Sequence, residues 1–136
     1  MDKVVHFEIP FDDKKRAMKF YAEAFDWKLT DMAEMSYVMA ETVAVNEKQR
    51  PREPGAINGG LFQRPKEAPH PVIYVGVSSV DQALKKAQAA FQALKKAQAA
   101  GGKVVTPKTA IPGMGAYARV TDTEGNVLGL FETASG

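Results

Sequence analysis

The chain has no cysteine among its 136 residues, which excludes disulfides and thiol chemistry. It has no apolar run near the roughly 20 residues that a membrane-spanning helix needs. Its start, Met1 to Val5, lacks the charged beginning and apolar core of a secretory signal, so a cytoplasmic location is expected. Charge of one sign is missing too. Eighteen Lys and Arg against sixteen Asp and Glu give a net charge of +2, too little to argue for nucleic acid. There is no nucleophile motif, no phosphate-cradling glycine loop before a helix and no metal-finger spacing. What remains is 45% hydrophobic and 25% charged, the make-up of a globular domain. One domain over 1–136 is expected, built from half-domains 1–65 and 70–136 that share a core.

The apolar pattern sets out the elements. From Val4 to Ile9 the chain alternates, with Val5, Phe7 and Ile9 on one side and His6 and Glu8 on the other. The apolar side should lie under a helix. Pro10 should end this strand, and Asp12 or Asp13 should cap a helix running to about Phe25. Ala17, Phe20, Tyr21, Ala24 and Phe25 recur at helical spacing and predict its buried stripe, with Trp27 also in the core. Strands are expected over 26–32, 35–45 and 56–63, with a polar loop at 46–55 and a proline-rich linker at 64–71. The pattern then restarts: a strand at 72–77, a helix at 79–100, and strands at 103–106, 116–121 and 126–133. Each half reads β-α-β-β-β.

The second helix contains the same nine residues twice, Gln82–Ala90 and Gln92–Ala100, with Phe91 between. Nine matches in nine point to a ten-residue duplication. Removing one copy leaves a β-α-β unit of ordinary loop length. Lys85, Lys86, Lys95 and Lys96 read as a solvated helix face. A continuous helix would be about 15 Å longer than its parent. The expected outcome is that one copy docks while the other forms an excursion. The copy nearest Gly101 would compete for the same contacts, and Phe91 would be partly exposed. A protruding helix and a domain swap are the alternatives.

Several motifs occur together. His6 lies on the opening strand. Phe20, Tyr21, Phe25 and Trp27 follow on and after the helix. Ile57, Asn58, Gly59, Gly60 and Leu61 form a third group, and Pro112 to Gly115 with Asp122 to Glu132 close the chain. In combination this resembles the vicinal-oxygen-chelate superfamily, which includes glyoxalase I and the bleomycin-resistance proteins. The resemblance implies an α+β fold in which two βαβββ modules form one eight-stranded cup, with the site inside it.

The resemblance also implies four metal ligands, from the first and last strand of each module. His6 matches the first. At the other three positions stand Asn58 to Gly60, Val72 and Gly129. One imidazole does not hold a divalent ion, and Glu8 beside it still makes a weak pair, so no metal and no cofactor are expected. The implied ligand-binding residues are His6, Glu8, Asn58, Phe62, Tyr74, Tyr117 and Phe131, an apolar lining with a few polar groups. Glu132 reads as a surface carboxylate.

The function expected is metal-free binding of a small aromatic or amphipathic molecule. Two alternatives stand beside it. One is a superfamily enzyme (lyase, isomerase or dioxygenase-like) using His6 on a small carbonyl or thiol-conjugate substrate. The other is an engineered helix-duplication probe of folding. A homodimer is expected, because open strand edges call for partners; nucleic acid and membrane are not expected partners.

Overall fold

The structure, a computed structural model, describes residues 1–93 and 104–134. It comprises two compact units. One is Val5–Val72; the other joins Met1–Val4 to the chain from Ile73 onward. The first module runs β1 (Lys3–Phe11), α1 (Lys14–Phe25), β2 (Lys28–Met32), a 3-10 turn (Ala33–Met35), β3 (Tyr37–Glu41) and β4 (Gly59–Gln63). The second runs β5 (Val72–Gly76), α2 (Val80–Ala93), β6 (Val104–Ile111), β7 (Gly115–Thr121) and β8 (Val127–Thr133). Their lateral strand orders correspond: β2-β3-β4-β1 and β5-β8-β7-β6. In each, the first strand lies parallel to the last and the other pairs are antiparallel.

In the first module, alternation along β1 sends Ile9 and Phe11 to the helix side. Phe11, Val38 and Leu61 form the buried centre there, and Ile9, Ala17, Met18, Tyr21 and Leu29 pack against it. Pro10 does not end β1, as the sequence suggested. It sits within the strand opposite Phe62, and Phe11 continues the pairing to Gln63. The Asp13 carboxylate caps α1 by accepting from the Arg16 amide at 2.9 Å, and Asp26 closes the helix in the left-handed region at φ 56°.

The buried stripe expected of α1 is only partly realised. None of its residues is fully buried, and Phe20 and Phe25 are each 56% exposed. Ala17, Met18 and Tyr21 point at the strands. Phe20 precedes Tyr21 by about 100° of helical rotation and so falls off that face. It packs edge-on against Tyr21 and Phe25 instead, at ring separations of 5.1 and 6.0 Å. Trp27 is half-buried, stacked on Tyr21 at 5.0 Å and against Phe7 at 5.5 Å.

The second module buries its helix more deeply. Val80, Ala118, Val120 and Leu130 form the centre, with Val75, Val77, Ala83, Leu84 and Leu128 around it. The first copy of the repeat therefore supplies the docked residues, Ala83 and Leu84. The second copy, residues 92–100, lies outside the residues whose contacts the structure describes, as does the Phe91 side chain, so the expected excursion lies there as well. Glu132 is not a plain surface carboxylate. Its Oε2 accepts from the Val80 amide at 2.7 Å, and Lys108 lies 3.6 Å away. A carboxylate at a helix N-terminus satisfies an amide that the helix cannot bond itself and opposes the positive end of the dipole.

Candidate functional site

In the first module the polar face of β1 carries His6 and Glu8, on the side away from α1. The His6 Nε2 and the Tyr37 hydroxyl share a hydrogen bond of 2.7 Å, and the two rings lie within 17° of parallel. Glu8 is buried at 7% exposure and pairs in register with Gly60. Burial holds the His6 pKa below the ordinary 6.5, with the negative charge of Glu8 opposing that shift. His6 is thus neutral at pH 7, able to donate from one ring nitrogen and accept at the other.

Gly60 explains how Tyr37 comes to be there. A Cβ built on Gly60 would stand 2.0 Å from the Tyr37 hydroxyl oxygen, so only glycine leaves the phenol its place. Phe62, also buried, follows on the same face of β4, opposite Tyr37 in the pairing. Asn58 is used otherwise. Its Oδ1 accepts from the amides of Thr42 and Val43 at 2.7 and 3.0 Å, and its Nδ2 donates to the Val43 carbonyl at 3.1 Å. That side chain bridges the chain just beyond β3 to the start of β4, and its polar atoms are committed to backbone.

The second module repeats the device with other chemistry. Tyr74, 3% exposed, pairs in register with Gly129, and a Cβ on Gly129 would stand 2.2 Å from the Tyr74 ring. Arg119 Nε donates to the Tyr74 hydroxyl at 2.9 Å, and the guanidinium carbon lies 5.5 Å from the Tyr117 ring centre. Tyr117 in turn pairs with Phe131. The structure thus gathers Tyr74, Tyr117 and Phe131 on one face of this module, as the alternation implied. His6, Glu8 and Phe62 share a face of the other.

Tyr37 and Arg119 were not among the residues singled out from sequence. Both lay at legible positions: Tyr37 alternates with Met39 and Glu41, and Arg119 with Tyr117. No local motif marks either one, because each acquires its role from residues on other strands: Tyr37 from His6 and Gly60, Arg119 from Tyr74.

The superfamily's metal can be tested against these residues. Among the described residues, no group of three or more His, Asp or Glu side chains could hold a metal ion. At two of the positions where the resemblance calls for ligands, the strands carry glycine with a tyrosine ring over it. The donor set does not fit a divalent ion. Among the described residues, no helix is long and apolar enough to cross a membrane.

Comparison with known proteins agrees with the fold. Residues 3–42 match the bleomycin resistance protein-like N-terminal family. No curated protein matches the chain. A hypothetical protein of Bacillus halodurans superposes with a TM-score of 0.62 at 13% identity, over 99% of this chain and 96% of that one. A glyoxalase/bleomycin resistance protein/dioxygenase superfamily member from Vibrio splendidus gives 0.57 at 9% identity, over 98% and 100%. Methylmalonyl-CoA epimerase from Mycobacterium tuberculosis gives 0.61 at 13% identity, over 97% and 88%. The fold is that of the glyoxalase/bleomycin-resistance proteins. The family match covers β1 to β3 of the first module.

Proposed function

We propose that the protein is a metal-independent binder of a small aromatic or amphipathic molecule, of the bleomycin-resistance type. The observation that carries this reading is the tyrosine over glycine in each module, Tyr37 over Gly60 and Tyr74 over Gly129. Each ring stands where a metal ligand would be sought and carries one polar tip. His6, Glu8 and Phe62 supply the other contacts of the first module; Tyr117 and Phe131 supply those of the second. Asn58 drops out of the contacting set, since its amide is engaged with Thr42 and Val43.

The test is a thermal-shift screen of metabolites and antibiotics, followed by calorimetry on each hit. A ligand that binds only the folded chain raises its midpoint. Hits should survive chelator treatment and weaken about tenfold in Tyr37→Phe or Tyr74→Phe, the loss of about one hydrogen bond. Stoichiometric Zn, Ni or Mn in the purified protein, lost together with ligand binding in His6→Ala, would overturn the reading.

One observation favours a second reading, an enzyme of the superfamily. A neutral imidazole held 2.7 Å from a phenol can accept a proton from an acidic C–H or O–H, with Tyr37 positioning the ring. Turnover of a carbonyl or thiol-conjugate substrate that vanishes in His6→Gln would favour it over simple binding.

A further inference from the structure

We infer that Asn58 and Gly59 form a latent self-modification site. The folded first module holds the pair unreactive. Once β4 opens, the pair deamidates, and the His6–Tyr37 arrangement beside it is lost for good. Of the asparagines in the chain, Asn46 precedes Glu47, Asn126 precedes Val127, and only Asn58 is followed by glycine. Glycine has no Cβ to hinder approach to its nitrogen, and it turns readily into the conformation that ring closure needs. Asn58 is therefore the most labile of these amides in an unfolded chain.

The reaction needs no co-reactant beyond water. The Gly59 backbone nitrogen bonds to Asn58 Cγ. The Cγ–Nδ2 bond breaks, and ammonia leaves with the proton that the Gly59 nitrogen gives up. Water then opens the succinimide at either carbonyl, leaving aspartate or isoaspartate. Nothing is oxidised or reduced.

The fold blocks the first step. Asn58 Oδ1 accepts from the Thr42 and Val43 amides at 2.7 and 3.0 Å, and Nδ2 donates to the Val43 carbonyl at 3.1 Å. Both ends of the carboxamide are tied, so Cγ cannot swing to the following nitrogen without giving up all three bonds. The Thr42 hydroxyl fixes the residue before, donating to the Ile57 carbonyl at 2.6 Å. Gly59, the residue after, is buried and pairs with Phe7 on one side and Ala40 on the other. A Cβ at this position would run into the Phe7 carbonyl oxygen and ring. The sheet thus needs glycine at 59, and the connection from β3 to β4 needs the carboxamide at 58. Two separate packing demands build a labile pair into the strand.

Both products damage the site. Aspartate sets a carboxylate oxygen, where a donor stood, against the Val43 carbonyl. Isoaspartate routes the chain through Cβ and Cγ, adding one carbon to the backbone ahead of Gly59 and Gly60. Gly60 is the residue that leaves Tyr37 its place beside His6, and a shift of β4 takes it from under the ring.

The experiment ages the full chain at mildly alkaline pH, folded and in denaturing urea, and follows each asparagine by peptide mass spectrometry. In urea, Asn58 should convert well ahead of Asn46 and Asn126. In the folded chain it should convert on the order of a hundredfold more slowly, since three hydrogen bonds must break first. Urea below the unfolding midpoint should raise the folded rate steadily, because reaction then follows opening. Thr42→Val removes the hydroxyl bond to Ile57, keeps the amide, and should also raise it. If that variant does not fold, the urea series on wild type decides alone. Chain converted at Asn58 should refold with a lower urea midpoint and displaced His6 imidazole signals in NMR. Equal rates folded and unfolded, an unfolded chain that spares Asn58, or a folded rate indifferent to urea would each overturn the inference. So would a folded Thr42→Val that converts like wild type, or a converted chain with the wild-type midpoint and His6 signals.

Discussion

The two modules use one device with different chemistry. Each sets a tyrosine ring over a glycine of another strand and ties the hydroxyl to a basic side chain. In the first module that side chain is His6, which burial keeps neutral at pH 7 and which takes a proton only below its ordinary range; in the second it is Arg119, which stays charged throughout. The rings also sit differently. The atoms that crowd Gly60 are the far end of Tyr37, namely its hydroxyl oxygen, Cζ and Cε1. Those that crowd Gly129 are Cδ1, Cε1 and Cγ of the buried Tyr74, the ring at its root. The first module thus holds its tyrosine at the tip and the second along its body. A shared backbone plan leaves the two faces free to take different chemical and mechanical characters.

The largest test compares the helices. Leu84→Asp puts a carboxylate into the packed seam of α2 and should cost about 3 kcal/mol or more, read from denaturant midpoints. Phe20→Asp on the open face of α1 should stay within about 0.5 kcal/mol in dilute solution. Leu94→Asp, in the second copy of the repeat, should resemble Phe20→Asp if the first copy alone docks. A Leu94→Asp cost equal to that of Leu84→Asp would show both copies packed.

A smaller effect separates the two tyrosines. Gly129→Ala must displace a buried ring near its root and should cost about 1–3 kcal/mol. Gly60→Ala meets only a ring tip, which can swing, and should cost less. Equal costs would mean that Tyr37 is held as rigidly as Tyr74.

The smallest effect is on pH. Burial lowers the His6 pKa, so the unfolded chain binds a proton where the folded imidazole remains neutral. Stability from this group is full above 6.5 and is lost as pH falls through the lower folded value. Unfolding midpoints compared between mildly alkaline and mildly acidic buffer should fall, and His6→Gln should flatten that fall. A slope unchanged in His6→Gln would place its origin elsewhere. The Tyr74 environment, tied to Arg119, should not respond over the same range.

Much of this was legible in the residues. Alternation in β1 gives the faces of His6 and Ile9, because a one-residue slip would exchange every side chain between them. A cap at Asp12 or Asp13 and the βαβββ order were readable from capping and turn chemistry, and Asp13 is the cap. Three things were not. Phe20 and Phe25 fit a helical stripe, yet only the strands opposite decide how wide a stripe is covered. Asn58 reads as a polar residue beside glycines, and its bonds to Thr42 and Val43 exist only once β3 and β4 meet. Glu132 becomes a helix cap through Val80, 52 positions earlier in the chain. Each miss is a long-range contact that no local pattern encodes.

The linker between modules has a consequence for where foreign sequence can enter. With three prolines over 64–71 it looks like a place to cut or insert. Yet Arg64 grips Asp12 at 2.9 Å and the Pro69 carbonyl as well, and Ala68 is 1% exposed. The segment is pinned at Arg64 and around Ala68 and Pro69. The loop around Glu47 to Gln49, exposed and closed at its base by the Val45–Pro51 bridge, is the better port for a tag or a nicking site.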